Sequence, residues 1–417
     1  MAQLSPLLMQ ATPIVVEHAR GAWITATDGV DYLDFTTGIG VTSTGHCHPR
    51  VVAAAREQVG KIIHAQYTTV MHKPLLELTE RLGDVLPEGL DSVFYANSGS
   101  EAVEASLRLA RMATGRPNLI AFQGGFHGRT VAAASLTTAG TKFRSGFAPL
   151  MAGVHIAPFP AAFRYGWDED TAIDFALREL DFLLQTTSSP ADTAAFIIEP
   201  ALGDGGYVPT PARFLAGLRE RADRHGILLI LDEVQTGVGR TGRFWGHQHS
   251  SVTPDILITA KGIASGFPIS AIAASRELMS RGWPGSQGGT YGGNAVAAAA
   301  AVATLDVVRD EELVANSEAM GALLHTGLQE LQQRFPSIGD ARGLGLMRAL
   351  EFVGADGEAA PEIASAVQTA AVGHRLLTLT CGTRANVVRL IPPLVVSADE
   401  IAFGLAALSD TLDEVLG

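Results

Sequence analysis

Lys261 follows directly on an apolar run, Ile256–Thr259, and precedes Gly262; Asp232 closes a second such run, Ile227–Leu231. A lysine amine at the end of a covered strand is partly out of water, so it gives up its proton more easily and becomes nucleophilic toward an aldehyde. A carboxylate in the same pocket can hold a pyridine nitrogen protonated, which turns the ring into an electron sink. Taken singly, each is commonplace: a surface lysine, an acidic cap on a strand. Together they suggest pyridoxal 5′-phosphate (PLP), held by Lys261 as a Schiff base with Asp232 at its ring nitrogen. A phosphate would suit Ser98-Gly99-Ser100, ahead of a helix expected over Glu101–Met112, because amides at a helix start favour a dianion and Gly99 permits close approach. Phe126 and Val234 suit the two ring faces, although either would serve equally well as core.

These residues need a frame. Short unbroken apolar runs recur at Ser92–Tyr95, Leu119–Phe122, Ala195–Ile198, Ile227–Leu231 and Ile256–Thr259, each followed by a polar or glycine-rich turn and a helical pattern. Continuous apolarity means strands covered on both faces, hence an α/β fold with a mainly parallel sheet between helices. One helix reads in detail: Thr210 as N-cap, Pro211 at the first helical position, an apolar stripe of Phe214, Leu215, Leu218 and Ala222, and Gly226 as the stop. In open α/β sheets ligands sit beyond the carboxyl ends of the strands. The segments 97–100 and 125–129, with Glu199, residues 232–235 and Lys261, should therefore meet at one crevice. From about Val307 the pattern changes to charged helices and short strands near Leu346–Phe352 and Val387–Leu390. We expect residues 1–55 to join a smaller α+β domain at 307–417, and 56–306 to form the large cofactor-binding domain.

The formal net charge of −13 argues against nucleic acid or an anionic membrane surface as partner, since either needs a basic face. Met1–Arg20 lacks the features of a secretory leader, and the alanine-rich Ala295–Leu305 falls short of the ~20 apolar residues of a membrane span; it reads as a closely packed helix. Cys47 and Cys381 are expected as reduced thiols in the cytoplasm.

Six ordered stretches resemble the signatures of class III aminotransferases: Asn97-Ser-Gly-Ser-Glu-Ala, Gly125-Phe-His-Gly-Arg-Thr, Ile198-Glu-Pro, Leu231-Asp-Glu-Val-Gln-Thr-Gly, Ala260-Lys-Gly and Thr290-Tyr-Gly-Gly-Asn. The likeness runs from Gly45-His-Cys-His-Pro to Arg389-Leu-Ile-Pro-Pro and implies PLP fold type I. It places Gln235 near the cofactor's phenolic oxygen and Thr290 at the phosphate of a neighbouring subunit's PLP. The active sites would then be shared across a homodimer, or across a tetramer of paired dimers. The cofactor set is Gly99, Ser100, Phe126, His127, Asp232, Val234, Gln235, Lys261 and Thr290. The substrate set is Ile39, Arg129, Glu199, Asp204 and Arg389.

Among the family, the sequence is most like 4-aminobutyrate transaminases, which implies Arg129 for the distal carboxylate and Arg389 for the α-carboxylate of glutamate or 2-oxoglutarate. Arginine suits both tasks through its planar fork. In those enzymes a glutamate after Ile-Glu-Pro neutralises the second arginine when no α-carboxylate is present. Here that residue is Asp204, one methylene shorter, so the charge is kept while its reach to Arg389 is in question. The resemblance extends to racemases and epimerases of the same family that carry aspartate there as an acid/base opposite the lysine. Three readings follow: transfer from an ω-amino acid, 4-aminobutyrate first, to a 2-oxo acid; racemisation by Lys261 and Asp204; and a non-catalytic PLP-fold binding protein.

Overall fold

A computed structural model describes residues 4–417. Its centre is a seven-stranded sheet in the order Ser92–Ala96, Ser270–Ala274, Ile256–Thr259, Leu228–Asp232, Thr193–Ile198, Asn118–Phe122, Val154–Ala157. Only Ser270–Ala274 runs antiparallel to its neighbours. Each apolar run found in the sequence is one of these strands: Ile256–Thr259 coincides with its strand and the other four differ by a residue or two at their ends.

Unbroken apolarity has the expected cause. Successive side chains point to opposite faces. Phe196, Ile198, Leu229 and Leu231 pack with the helices Glu169–Thr186 and Ala212–His225, while Ile197, Ile230 and Ile258 pack with Gly99–Thr114 on the other side. Neither face meets water, so neither admits polar alternation. The helix before Leu228–Asp232 begins one residue later than read from sequence. Pro211 is the N-cap, and the Thr210 hydroxyl donates to Glu199 O at 2.7 Å instead of capping. Gly226 ends that helix in the left-handed region, as expected.

A second sheet, antiparallel throughout, orders Ile338–Leu344, Met347–Phe352, Val387–Leu390 and Leu379–Cys381. A third joins Val16–Arg20, Trp23–Ala26 and Asp31–Asp34 to Leu376–Leu377, so the two ends of the chain share a sheet. Residues 55 and 306 lie within the helices Pro49–Val59 and Ala295–Asp310, which pack on each other; a cut at either point would pass through continuous helix. In the second of these helices Ala297, Ala298 and Ala301 are buried in the large core, together with Leu75, Leu78 and Leu82. Among the described residues no helix is long and apolar enough to cross a membrane, and both cysteines are free.

Candidate active site

The carboxyl ends of the parallel strands surround a cavity of about 290 Å³. Asn97, Ser98, Gly99 and Ser100 line it from one side, Phe126, His127 and Gly128 from another, and Glu199 and Asp204 from a third. Asp232, Val234, Gln235 and Lys261 complete the ring. Strand-end geometry thus gathers most of the expected residues. It also brings in Val41 and Gly266–Ile269, which the sequence reading passed over. Gly266-Phe-Pro follows the lysine on the same strand-end turn, so the rule that found Lys261 applied to it as well.

Lys261 begins a short turn with φ +45°, a left-handed backbone uncommon outside glycine. Burial is the main influence on its amine and pushes the pKa below the ordinary lysine value, with Arg389 adding to the effect and Asp204, Asp232 and Glu199 opposing it. Asp232 Oδ2 accepts from His127 Nδ1 at 2.8 Å and Oδ1 from Val234 N at 3.1 Å, leaving the carboxylate 4% exposed. Burial alone would depress His127, but the hydrogen bond and charge of Asp232, backed by Glu199, carry it above the usual imidazole range. Glu199 accepts Phe126 N and Gly203 N, both at 2.8 Å. Its pKa is raised to about 7, first by burial and then by Asp232, against the pull of His127 and the two amides.

Ser98 caps the helix Gly99–Thr114 in a reciprocal box with Glu101, so the helix starts two residues before the expected Glu101. Its first residues, Gly99 and Ser100, line the cavity. A side chain at Gly99 would press on Val234 at 3.1 Å, and one at Gly128 would run into Ser100 Oγ. The cradle is therefore backbone-lined, as a phosphate requires. Gln235 is 7% exposed and its Oε1 is buried without a partner, a polar atom that a bound group would satisfy. These residues fit PLP.

Four expected residues do not line the cavity. Arg389 stands behind Asp204, 5% exposed, with Nη1 on Asp204 Oδ1 at 2.9 Å. The shorter side chain at 204 therefore does reach. Arg129 is exposed and lies over Phe143, 4.7 Å from its centroid, a cation–π contact. Its amide nonetheless donates to Ser100 Oγ at 3.2 Å. Ile39 is 47% exposed with φ +70°, a strained conformation for a β-branched residue, two positions from Val41. Thr290 is exposed beside Tyr291.

Residues 8–412 match the family described as aminotransferase class-III. The protein belongs to the class III aminotransferases. It is 39% identical over 409 residues to the 5-aminovalerate aminotransferase DavT of Pseudomonas putida, covering 97% of this chain and 95% of that protein. Against the 4-aminobutyrate aminotransferase GabT of Escherichia coli the identity is 36% over 408 residues, covering 97% and 95%. A PLP-bound amine transaminase from an uncultivated Pseudomonas species superposes with a TM-score of 0.93 at 31% identity, over 100% of this chain and 99% of that one. The fold is that of PLP fold type I transaminases, and PLP is the cofactor. The protein is thus an enzyme, and the reading as a non-catalytic binding protein falls away.

Proposed function

We propose that the enzyme transfers an amino group from an ω-amino acid to 2-oxoglutarate, with 4-aminobutyrate as first donor and 5-aminovalerate beside it. The observation that carries this reading is the Asp204–Arg389 pair. An enzyme alternating between a donor without an α-carboxylate and an acceptor with one needs an arginine that can be covered and uncovered. Asp204 covers Arg389, its Oδ1 accepting from Nη1 at 2.9 Å. The names of the relatives, one acting on 5-aminovalerate and another on 4-aminobutyrate, support the same donor class.

PLP, when bound, supplies the electron sink that stabilises negative charge at the donor carbon. The chain's residues do the rest. Lys261 Nζ, whose pKa burial lowers, is placed to take the proton from the amino-bearing carbon. Asp232 presents a fixed negative charge at the cavity floor, with His127 holding its outer oxygen. The amides of Gly99 and Ser100 bind phosphate, Gln235 offers its unpartnered Oε1 to the cofactor, and Phe126 and Val234 exclude water from the two faces. Glu199 fixes the Phe126 and Gly203 amides, and so the turn that carries Asp204. Ile39 borders the donor's path. Arg129, exposed, would leave Phe143 to meet the distal carboxylate.

We also propose a homodimer. Ile63 and Tyr291 are 61% and 65% exposed, and the segments around them are joined by Gln66 Nε2 to Gly289 O at 3.2 Å and Asn294 Nδ2 to Ile63 O at 3.0 Å. This apolar surface flanks Thr290, and its burial against a second copy would fit the resemblance's placing of Thr290 at that copy's phosphate.

The racemase reading needs Asp204 free to exchange protons with substrate, whereas one of its oxygens is engaged by Arg389. A donor panel with and without 2-oxoglutarate tests the choice. Glutamate formed from 4-aminobutyrate or 5-aminovalerate supports transfer; loss of optical purity without acceptor, and no glutamate, refutes it.

A further inference from the structure

Asp204 lies in a turn, residues 203–207, between the short strands Ala201–Leu202 and Val208–Pro209. A free chain would seldom hold this backbone: Gly206 has φ +119°, and Tyr207, which is not glycine, has φ +55°. Among the described residues the turn's hydrogen bond to the large-sheet side runs from Gly203 N to Glu199, and Gly205 packs against the Gly124 carbonyl. The other ties come from the C-terminal sheet. Gly382 N donates to Asp204 O at 2.9 Å, and Arg389 meets the Asp204 side chain.

The firmest tie is Arg342, on the strand Ile338–Leu344. Its Nε and Nη2 both donate to Gly206 O, at 2.9 and 2.7 Å. From behind, Nη1 is fixed by Asp340 Oδ2 at 2.9 Å and Glu351 Oε2 at 2.6 Å, and Glu351 is itself held by Asn386 Nδ2 at 3.0 Å. A planar fork gripped by two carboxylates has one direction left in which to point, and it points at the turn. Arg342 does not line the cofactor cavity.

We infer that Arg342 is a positioning residue: it draws the 203–207 turn onto the C-terminal sheet, and so brings Asp204 within reach of Arg389. The inference rests on the proposed role of the Asp204–Arg389 pair. Loosening Arg342 should uncover Arg389, with two effects of opposite sign. Carboxylates that compete with Asp204 bind Arg389 more tightly. ω-Amino donors, which offer Arg389 nothing, react more slowly.

The test is Arg342→Lys in the holoenzyme, which keeps a cation between Asp340 and Glu351 but gives up the two-pronged hold on Gly206 O. With glutarate as probe, the dissociation constant should fall by about threefold or more, and kcat/KM for the ω-donor half-reaction should drop about tenfold relative to that for L-glutamate. Adding Asp204→Glu should bring both back toward the parent. Weaker glutarate binding, an equal loss in both half-reactions, or no rescue by Asp204→Glu would overturn the inference. If Arg342→Lys does not fold, Asp340→Asn loosens only the Nη1 side and should shift both readouts the same way by less; no shift there also overturns it. Asp204→Asn separates the two layers. If it leaves the partition between donors unchanged, the reading of the pair fails; if it shifts the partition while Arg342→Lys does not, only the positioning role fails.

Discussion

Replacing Asp204 with asparagine removes one charge and almost no volume, which isolates the electrostatics of the pair. Arg389 is 5% exposed, and Asp204 is the carboxylate paired with it; the aspartate side chain is itself about a fifth exposed. Opposite charges ~4 Å apart attract by about 4 kcal/mol at an effective dielectric near 20. Stranding one partner of a buried pair costs about 3–5 kcal/mol. Allowing for the water that reaches Asp204, we expect a loss of about 2–4 kcal/mol in folding stability. The same energy enters catalysis with split sign. A carboxylate no longer has to displace Asp204, so the KM for 2-oxoglutarate should fall by about tenfold or more, while kcat/KM for 4-aminobutyrate or 5-aminovalerate should fall comparably. Stopped-flow measurement of each half-reaction and a denaturant titration would read all three quantities. If both half-reactions slow together, or if 2-oxoglutarate binds more weakly, then Asp204 does not cover Arg389 in the working enzyme.

Lys261→Met should abolish turnover, and it should stabilise the cofactor-free protein. Because the folded amine has a lowered pKa, wild type is penalised at low pH and the penalty fades as pH rises toward the ordinary lysine value; a difference that grows with pH would contradict this. Glu199, with its pKa raised to about 7, should show a protonated-carboxyl infrared band that disappears as pH rises through neutrality and is absent in Glu199→Gln. Its contribution to stability is complete below the unfolded value near 4.5 and lost as pH passes about 7. Ile63→Arg should yield inactive monomers in sedimentation; a fully active monomer would remove the dimer from the mechanism.

By itself the sequence determined what depends on short-range regularities. A strand buried on both faces must be apolar throughout, so the runs at Ala195–Ile198 and Ile256–Thr259 announced a covered parallel sheet, and the residues after such runs had to sit at its carboxyl edge. That alone brought Lys261, Asp232, Gly99 and Phe126 to one cavity. Tertiary structure decided whatever depends on how the two sheets approach each other. Asp204 and Arg389 come from different sheets, and no side-chain length read from sequence could say whether they meet; a turn pulled over by Arg342 supplied the missing reach. Thr210 was misplaced for a related reason: a distant carbonyl, Glu199 O, took the hydroxyl that a local rule gave to the helix. Local patterns fix periodicity and turns, whereas a hydrogen bond between distant segments goes to whichever partner the packed core brings within 3 Å or so.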